Sequence, residues 1–308
     1  MSKARLDLHE IHRPAEEQGT GGIWSVLRRA GASWMADNAM RLSAALALYA
    51  ILSLAPLLVI TFKVVGFIWR TEGAARKQIM QQMSELMGSQ AAEAIEPMLR
   101  SAAHRNGTLA TIVSTVILFF SATGVFVELQ DAMNIIWGVK SAPNRGLYAF
   151  IRARLLSLGM VFGIAFLLLI SMFLTAVLTT IGRWVLGDAG WFAVCVDVVA
   201  ILIVVWVLFS AIFKFLPDVK LTWRHVALGG LVTAVLFTIG KYGLAVYFKI
   251  ATPTSAFGAA GSLAAVMLWV YYSAFILFFG AEFTKEWTLE HDHRIQIEPF
   301  AVPAKAEA

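Results

Sequence analysis

Long apolar runs alternate with short polar connections along this chain, and the length of those runs sets its class. Six can be marked: Leu42–Trp69, Gly107–Val127, Leu155–Ile181, Trp191–Leu216, Val226–Tyr247 and Ala259–Ala281. A helix needs about 20 mainly apolar residues to cross a hydrocarbon core of ~30 Å, and each run is that long or longer. Backbone polar groups in lipid must be satisfied within the segment, so the runs are predicted to be helical. The pattern therefore predicts an all-α fold, a polytopic membrane bundle of six transmembrane helices.

The connections carry patterns of their own. Residues 1–21 are polar and hold Pro14, Gly19 and Gly21, as a mobile tail would. From there Ile23, Trp24, Leu27, Gly31, Trp34 and Met35 recur at helical spacing, with Arg28 and Arg29 off that face. Such a helix lies in the headgroup layer or packs under the bundle, and the pattern serves both readings equally. Between spans 1 and 2, Ile79, Met83, Leu86 and Met87 form one apolar set, and Ile95, Met98, Leu99 and Ala102 a second. Gly88 and Ser89 separate them, which predicts an amphipathic outer helical hairpin over 70–106. The second span is expected to run on from Thr108 to Val139, until Pro143 ends it. Trp137, Trp184, Trp191 and Trp223 fall near span ends, where aromatic belts form. The expected division is a cytoplasmic tail and interfacial helix (1–36), a membrane domain (37–287) and a second cytoplasmic tail (288–308).

Composition agrees and adds orientation. Of 308 residues, 59% are hydrophobic and only 15% charged, and the mean hydropathy is +0.72. With the N-terminus inside, segments 1–41, 128–154, 214–225 and 282–308 hold 16 Lys or Arg, and the opposite side holds 7. Basic residues near span ends favour the cytoplasmic side, so both termini are expected there. The net charge of +5 is then an orientation signal and an attraction for anionic lipid, with no need of nucleic acid. The only cysteine, Cys195, lies in the fourth run and has no partner for an intramolecular disulfide. The first apolar run begins 41 residues in and is too long for a signal peptide core, so it is expected to remain as a span. A bacterial inner membrane is the expected home.

Enzyme signatures are missing. The chain has no GxxxxGK[ST] loop, no GxGxxG, no HExxH and no GxSxG elbow. His9 with His12, and His291 with His293, sit in polar tails without a third ligand, so no metal and no cofactor is expected. Charges inside the apolar runs are better clues, because each costs energy unless paired, hydrated or snorkelling. Lys63, Asp197 and Lys241 fall at a similar depth in the outer parts of spans 1, 4 and 5. An outward cavity holding one acid and two bases explains them, and so does a structural ion pair with lysines snorkelling to the headgroups. An inner polar layer is expected from Glu128, Asp131 and Asn134 on the second helix and Glu282 at the end of the sixth. Arg152, Arg154, Lys214 and Lys285 stand ready to neutralise it, as a gate or as plain salt bridges. Small residues Gly258, Gly261 and Ser262 open the sixth span, where Thr254 or Ser255 is placed to cap the helix. They admit close helix packing, or an anionic headgroup at the helix start.

Four stretches taken in order resemble the YihY/BrkB family of bacterial inner-membrane proteins, once labelled ribonuclease BN. They are Tyr49–Leu58 (YAILSLAPLL), Ala122–Val139 (ATGVFVELQDAMNIIWGV), Phe213–Gly230 (FKFLPDVKLTWRHVALGG) and Ser255–Phe283, which ends in FILFFGAEF. With their spacing they cover residues 37–287. Phe257 stands where the family often has tyrosine. The resemblance implies six spans, an inner-membrane location and a transport-like role linked to lipid or lipopolysaccharide export, serum resistance or cation–proton exchange. It also implies that the ribonuclease label is inherited, in keeping with the missing nuclease chemistry.

The expected function is therefore non-enzymatic: moving, or helping export, a lipid or lipopolysaccharide-related amphiphile. Membrane lipids and an amphiphilic or ionic substrate are the expected partners. A cation–proton antiporter using Asp197 or Glu128 and a non-transporting scaffold for envelope assembly are the alternatives.

Overall fold

The computed structural model describes residues 10–12, 22–53, 77, 80–81, 84, 124–141, 190–251, 253–292, 294–298 and 301–304. Helices dominate them. The first, α1, is Ile23–Ala36, and α2 is described over Ala39–Ser53. The described part of α3 is 124–136. Three longer helices follow: α4 (Gly190–Phe215), α5 (Trp223–Ala251) and α6 (Pro253–Asp292). Both α5 and α6 contain stretches long and apolar enough to cross a membrane. Most of the outer hairpin expected over 70–106 lies outside the described residues, although positions 77, 80, 81 and 84 are helical.

Each described boundary has a local cause. α1 ends where the Asp37 N–H donates to the Ser33 carbonyl (2.9 Å) and Asn38 turns left-handed at φ 53°. Asparagine tolerates that conformation better than most residues. The Asn38 carbonyl then accepts from the Arg41 N–H, opening α2. α3 stops at Ile136, earlier than Pro143, because Gly138 adopts φ 66° and donates to the Ile135 carbonyl (3.0 Å). That is the usual glycine helix stop, and it overrides the apolar pattern that continues past it. α6 begins at Pro253, a residue pre-set for the first helical position. Thr254 and Ser255 thus fall inside its first turn, not at the cap.

Short strands appear in both segments expected to be tails and in the connections after α3 and α4. β1 (Glu10–His12), β3 (Val219–Lys220) and β4 (Arg294–Ile297) form an antiparallel sheet with β4 central, pairing Ile11 with Ile295 and Val219 with Ile297. β2 (Val139–Ser141) pairs antiparallel with β5 (Ala301–Pro303), Lys140 opposite Val302. The described residues 294–298 and 301–304 thus form a strap. Its signal was the alternation Ile295, Gln296, Ile297, in which the isoleucines are buried and the glutamine exposed. Four residues are too few to stand out beside spans of twenty.

The chain packs as two compact units, one of residues 1–37, 130–236 and 277–308, the other of 38–129 and 237–276. In the first, one buried apolar cluster is Val26, Ala30 and Phe283, with Leu27, Leu228, Val232, Phe279 and Trp287 packed against it. Hence α1 packs against α5 and α6. It still exposes Ile23, Trp24 and Met35, while Trp34, expected on the same face, is buried. Trp137 also belongs to the core, not to an aromatic belt.

In this unit α5 and α6 run antiparallel and interlock through two matching Gly-x-x-x-Thr sets. A Cβ on Gly229 would fall on the Thr284 side chain, and a Cβ on Gly280 on the Thr233 side chain. Each threonine hydroxyl donates to a carbonyl of its own helix, Thr233 to Gly229 and Thr284 to Gly280 (2.7 Å each). Hydroxyls satisfied in this way can be buried without waste, and the missing glycine side chains let the backbones close up. Gly280→Ala is expected to destabilise the protein by about 1–3 kcal/mol through overpacking, read as a lower unfolding temperature in detergent. Adding Thr233→Ala should recover most of that loss, and an unchanged melt in the single variant would refute the interlock.

Candidate functional site

α1 and α6 face each other along a polar edge built from four-residue spacings. On α1 and the residue that caps it stand Arg29, Ser33 and Asp37; on α6 stand Glu290, Glu286 and Glu282. Residues four apart lie on one helix face, so antiparallel helices bring these sets together as three rungs. On the first rung the Arg29 guanidinium NH2 donates to Glu290 Oε2 at 2.7 Å. On the second, Ser33 Oγ donates to Glu286 Oε1 at 3.2 Å, and Arg29 Nε stands 3.4 Å from Glu286 Oε2. On the third, Glu282 has Asp37 within hydrogen-bonding reach. Lys285 serves that rung, its Nζ 3.0 Å from Glu282 Oε2 and 3.8 Å from Asp37 Oδ2.

Within the third rung the partners differ in burial: the Asp37 side chain is 29% exposed, while that of Glu282 is 0% exposed. Carboxylates buried to this degree persist only when paired and hydrogen-bonded, and Arg29, Ser33 and Lys285 supply that pairing. A serine, two cations and four carboxyls can hold and exchange charge. Among the described residues no three His, Cys, Asp or Glu side chains converge to hold a metal ion.

A second polar lock ties α3 to the turn after α4. Asn134 Nδ2 donates to Asp218 Oδ2 (2.9 Å), and Asn134 Oδ1 accepts from the Asp218 N–H (3.0 Å). Gln130 Nε2 donates to Asp218 Oδ1 (3.1 Å). The Asp218 carbonyl in turn accepts from the Glu298 N–H (3.1 Å), joining the lock to the strap. Both Asn134 and Asp218 are buried.

Of the inner layer read from the sequence, Asn134 and Glu282 are buried, but each has its own partners. Asn134 turns to Asp218; Glu282 turns to Asp37 and Lys285. Glu128 is half-buried and Asp131 exposed. Steps of three residues drift by about 60° each around a helix, so residues six apart no longer share a face. Of the expected neutralisers, Lys285 takes that part. Lys214 instead donates to the Leu221 carbonyl and lies 5.9 Å from the Trp223 ring centroid. Arg152 and Arg154 lie outside the described residues.

In the outer set, Lys63 lies outside the described residues, and Asp197 lies on α4 with its side chain undescribed. Lys241 is half-buried on α5, its Nζ 5.8 Å from the Tyr242 ring centroid. Gly258, Gly261 and Ser262 lie in the first turns of α6.

Similarity to known proteins covers nearly all of this framework. The profile of the virulence factor BrkB family matches residues 31–304. The chain belongs to that family. Among its relatives, a UPF0761 membrane protein of Ralstonia nicotianae is 28% identical over 265 residues, covering 83% of this chain and 56% of the relative. One from Pseudomonas paraeruginosa is 27% identical over 255 residues, 80% of this chain and 59% of the relative. Another from Paraburkholderia xenovorans is 26% identical over 180 residues, 56% of this chain and 39% of the relative. The chain spans less than two thirds of the length of these curated relatives. No solved structure matches.

The matched region of this BrkB-family chain takes in Ser33, Asp37, Gln130, Asn134, Asp218 and the whole α6 charge edge, but not Arg29. Sequence reading alone placed Arg29 off the apolar face of its helix but did not single out Arg29, Ser33, Asp37, Gln130 or Asp218 as site residues. The four-residue spacings of Arg29, Ser33 and Asp37 and of Glu282, Glu286 and Glu290 were the available signal. Asp218 sits beside Pro217 in an apparent loop, and nothing local marks it as buried. Asn134→Ala removes a donor to the Asp218 carboxylate and the acceptor of its N–H. A loss of about 1–3 kcal/mol is expected, measured as a shift in thermal unfolding of the purified protein. Asp131→Ala, at the exposed position one turn away, should shift it far less.

Proposed function

We propose that this protein is a six-span bacterial inner-membrane protein with both termini cytoplasmic, and that it moves or helps export a lipid or lipopolysaccharide-related amphiphile. The observation that carries this reading is on α5. Ile239, Tyr242, Val246 and Ile250 are all exposed, at spacings of three, four and four, and Lys241 stands beside Tyr242. An exposed apolar stripe flanked by a cation suits a molecule with an acyl tail and an anionic head. Membership of a family described as a virulence factor agrees with a role at the cell envelope.

Orientation has its own support in the 16-to-7 distribution of basic residues. Arg5→Cys and Gln90→Cys, each in a Cys195→Ser background, should label from opposite sides of the membrane. An impermeant thiol reagent added to intact spheroplasts is expected to reach position 90 only. Labelling of both positions would remove the topology.

The transport reading is tested by reconstitution. Vesicles carrying a fluorescent anionic phospholipid should show faster movement of the probe between leaflets when they contain the protein. Lys241→Ala should slow that movement several-fold, and Lys241→Arg should retain most of it. No acceleration by folded wild-type protein would reject amphiphile movement and leave the antiporter and scaffold readings in its place.

A further inference from the structure

The three rungs between α1 and α6 share one spacing but not one chemistry. On the first, a guanidinium faces a carboxylate, and on the second a hydroxyl faces a carboxylate. On the third, two carboxyls face each other. Ionised carboxylates only accept hydrogen bonds, so these two offer each other no donor.

Lys285 does not fill the gap. Its Nζ meets Glu282 Oε2 at 3.0 Å and stands 3.8 Å from Asp37 Oδ2. Glu282 Oε1 remains buried with no hydrogen-bond donor among the described residues. Glu282 is among the largest fully buried side chains of the described residues. Two carboxylates beside one ammonium would leave a net negative charge in that enclosure, which is costly where water is excluded. One proton restores neutrality and supplies the missing donor in the same place.

We propose that Asp37 and Glu282 form a proton-binding site, holding one exchangeable proton between their carboxyl groups beside Lys285. The proton comes from a hydronium ion on the water-exposed side of Asp37: one O–H bond of the hydronium breaks, leaving water, as an O–H bond forms to a carboxylate oxygen, and the proton is then shared with the facing carboxyl. The charged groups acting on Glu282 are Lys285 on its own helix and Asp37 beyond the end of α1. Glu286, one turn on, is engaged by Arg29 and Ser33. α5 meets this stretch of α6 through Gly229 and Thr233, which carry no charge. Loss of the proton would set two carboxylates against one ammonium and loosen the tie between the end of α1 and α6. The site does not depend on what the protein moves.

Infrared spectroscopy of the purified full-length protein at neutral pH reads this directly. A carbonyl stretching band of a protonated carboxylic acid is expected, shifting in D₂O and disappearing on alkaline titration. It should be lost in Glu282→Gln and in Asp37→Asn. A second readout guards against misfolding. Glu282→Gln keeps the side-chain shape and places an amide donor toward Asp37, so its unfolding temperature should stay near the parent value, whereas Glu282→Ala should fall well below it. A wild-type spectrum without the acid band overturns the proposal, as does a band that survives both substitutions. A Glu282→Gln melt as low as that of Glu282→Ala overturns it too. A band that sodium removes at constant pH would make the site a cation site and overturn the proton assignment.

Discussion

A helix of 40 residues is about 60 Å long, twice the ~30 Å of a hydrocarbon core. The described end of this protein follows from where the surplus of α6 goes. Its apolar stretch closes at Ala281, and charge then appears on nearly every turn, at Glu282, Lys285, Glu286, Glu290 and Asp292. Glu282 and Glu286 are buried, so protein, not water, must satisfy them. α1 does so along one edge with Arg29, Ser33 and Asp37, and the next turns of the chain fold back as β4.

Packing and polarity are distributed around α6 by face. One face takes α5 at close range through the paired glycines and threonines. Another receives the apolar side of α1, where Val26 and Ala30 close over Phe283. The polar rungs lie along the edge of that same contact. The apolar contact fixes the register that sets Arg29 opposite Glu290, and the rungs prevent the buried carboxylates from destabilising the contact. The Asn134–Asp218 lock plays the same part between α3 and the α4–α5 turn, and the Glu298 N–H links it to the strap.

Functional readings divide along these lines. The exposed stripe of α5 concerns what surrounds the protein, and the α1–α6 edge concerns how charge is held inside it. Membership of the BrkB family joins these features to a known group of membrane proteins without naming a substrate. Lys63, Asp197 and Lys241, read from the sequence, and the rung of Asp37 and Glu282, found in the fold, are different sets of residues. A role found for one does not establish a role for the other.

Much was legible in the sequence because the relevant physics is local. A run of twenty apolar residues must become a helix in lipid, whatever surrounds it, so α4, α5 and α6 fall where hydropathy put them. Burial of Asn134 and Glu282 as polar helix-end residues was also within reach of pattern. Tertiary structure alone decided the partners. Whether Asn134 meets Glu282 or Asp218 depends on how helices distant in sequence are aligned, and helical periodicity carries no information about that alignment. The same holds for Asp37 opposite Glu282, which are 245 positions apart, and for the tails that became strands only because each found an edge to pair with. Local forces chose the elements; long-range contacts chose which polar group answers which.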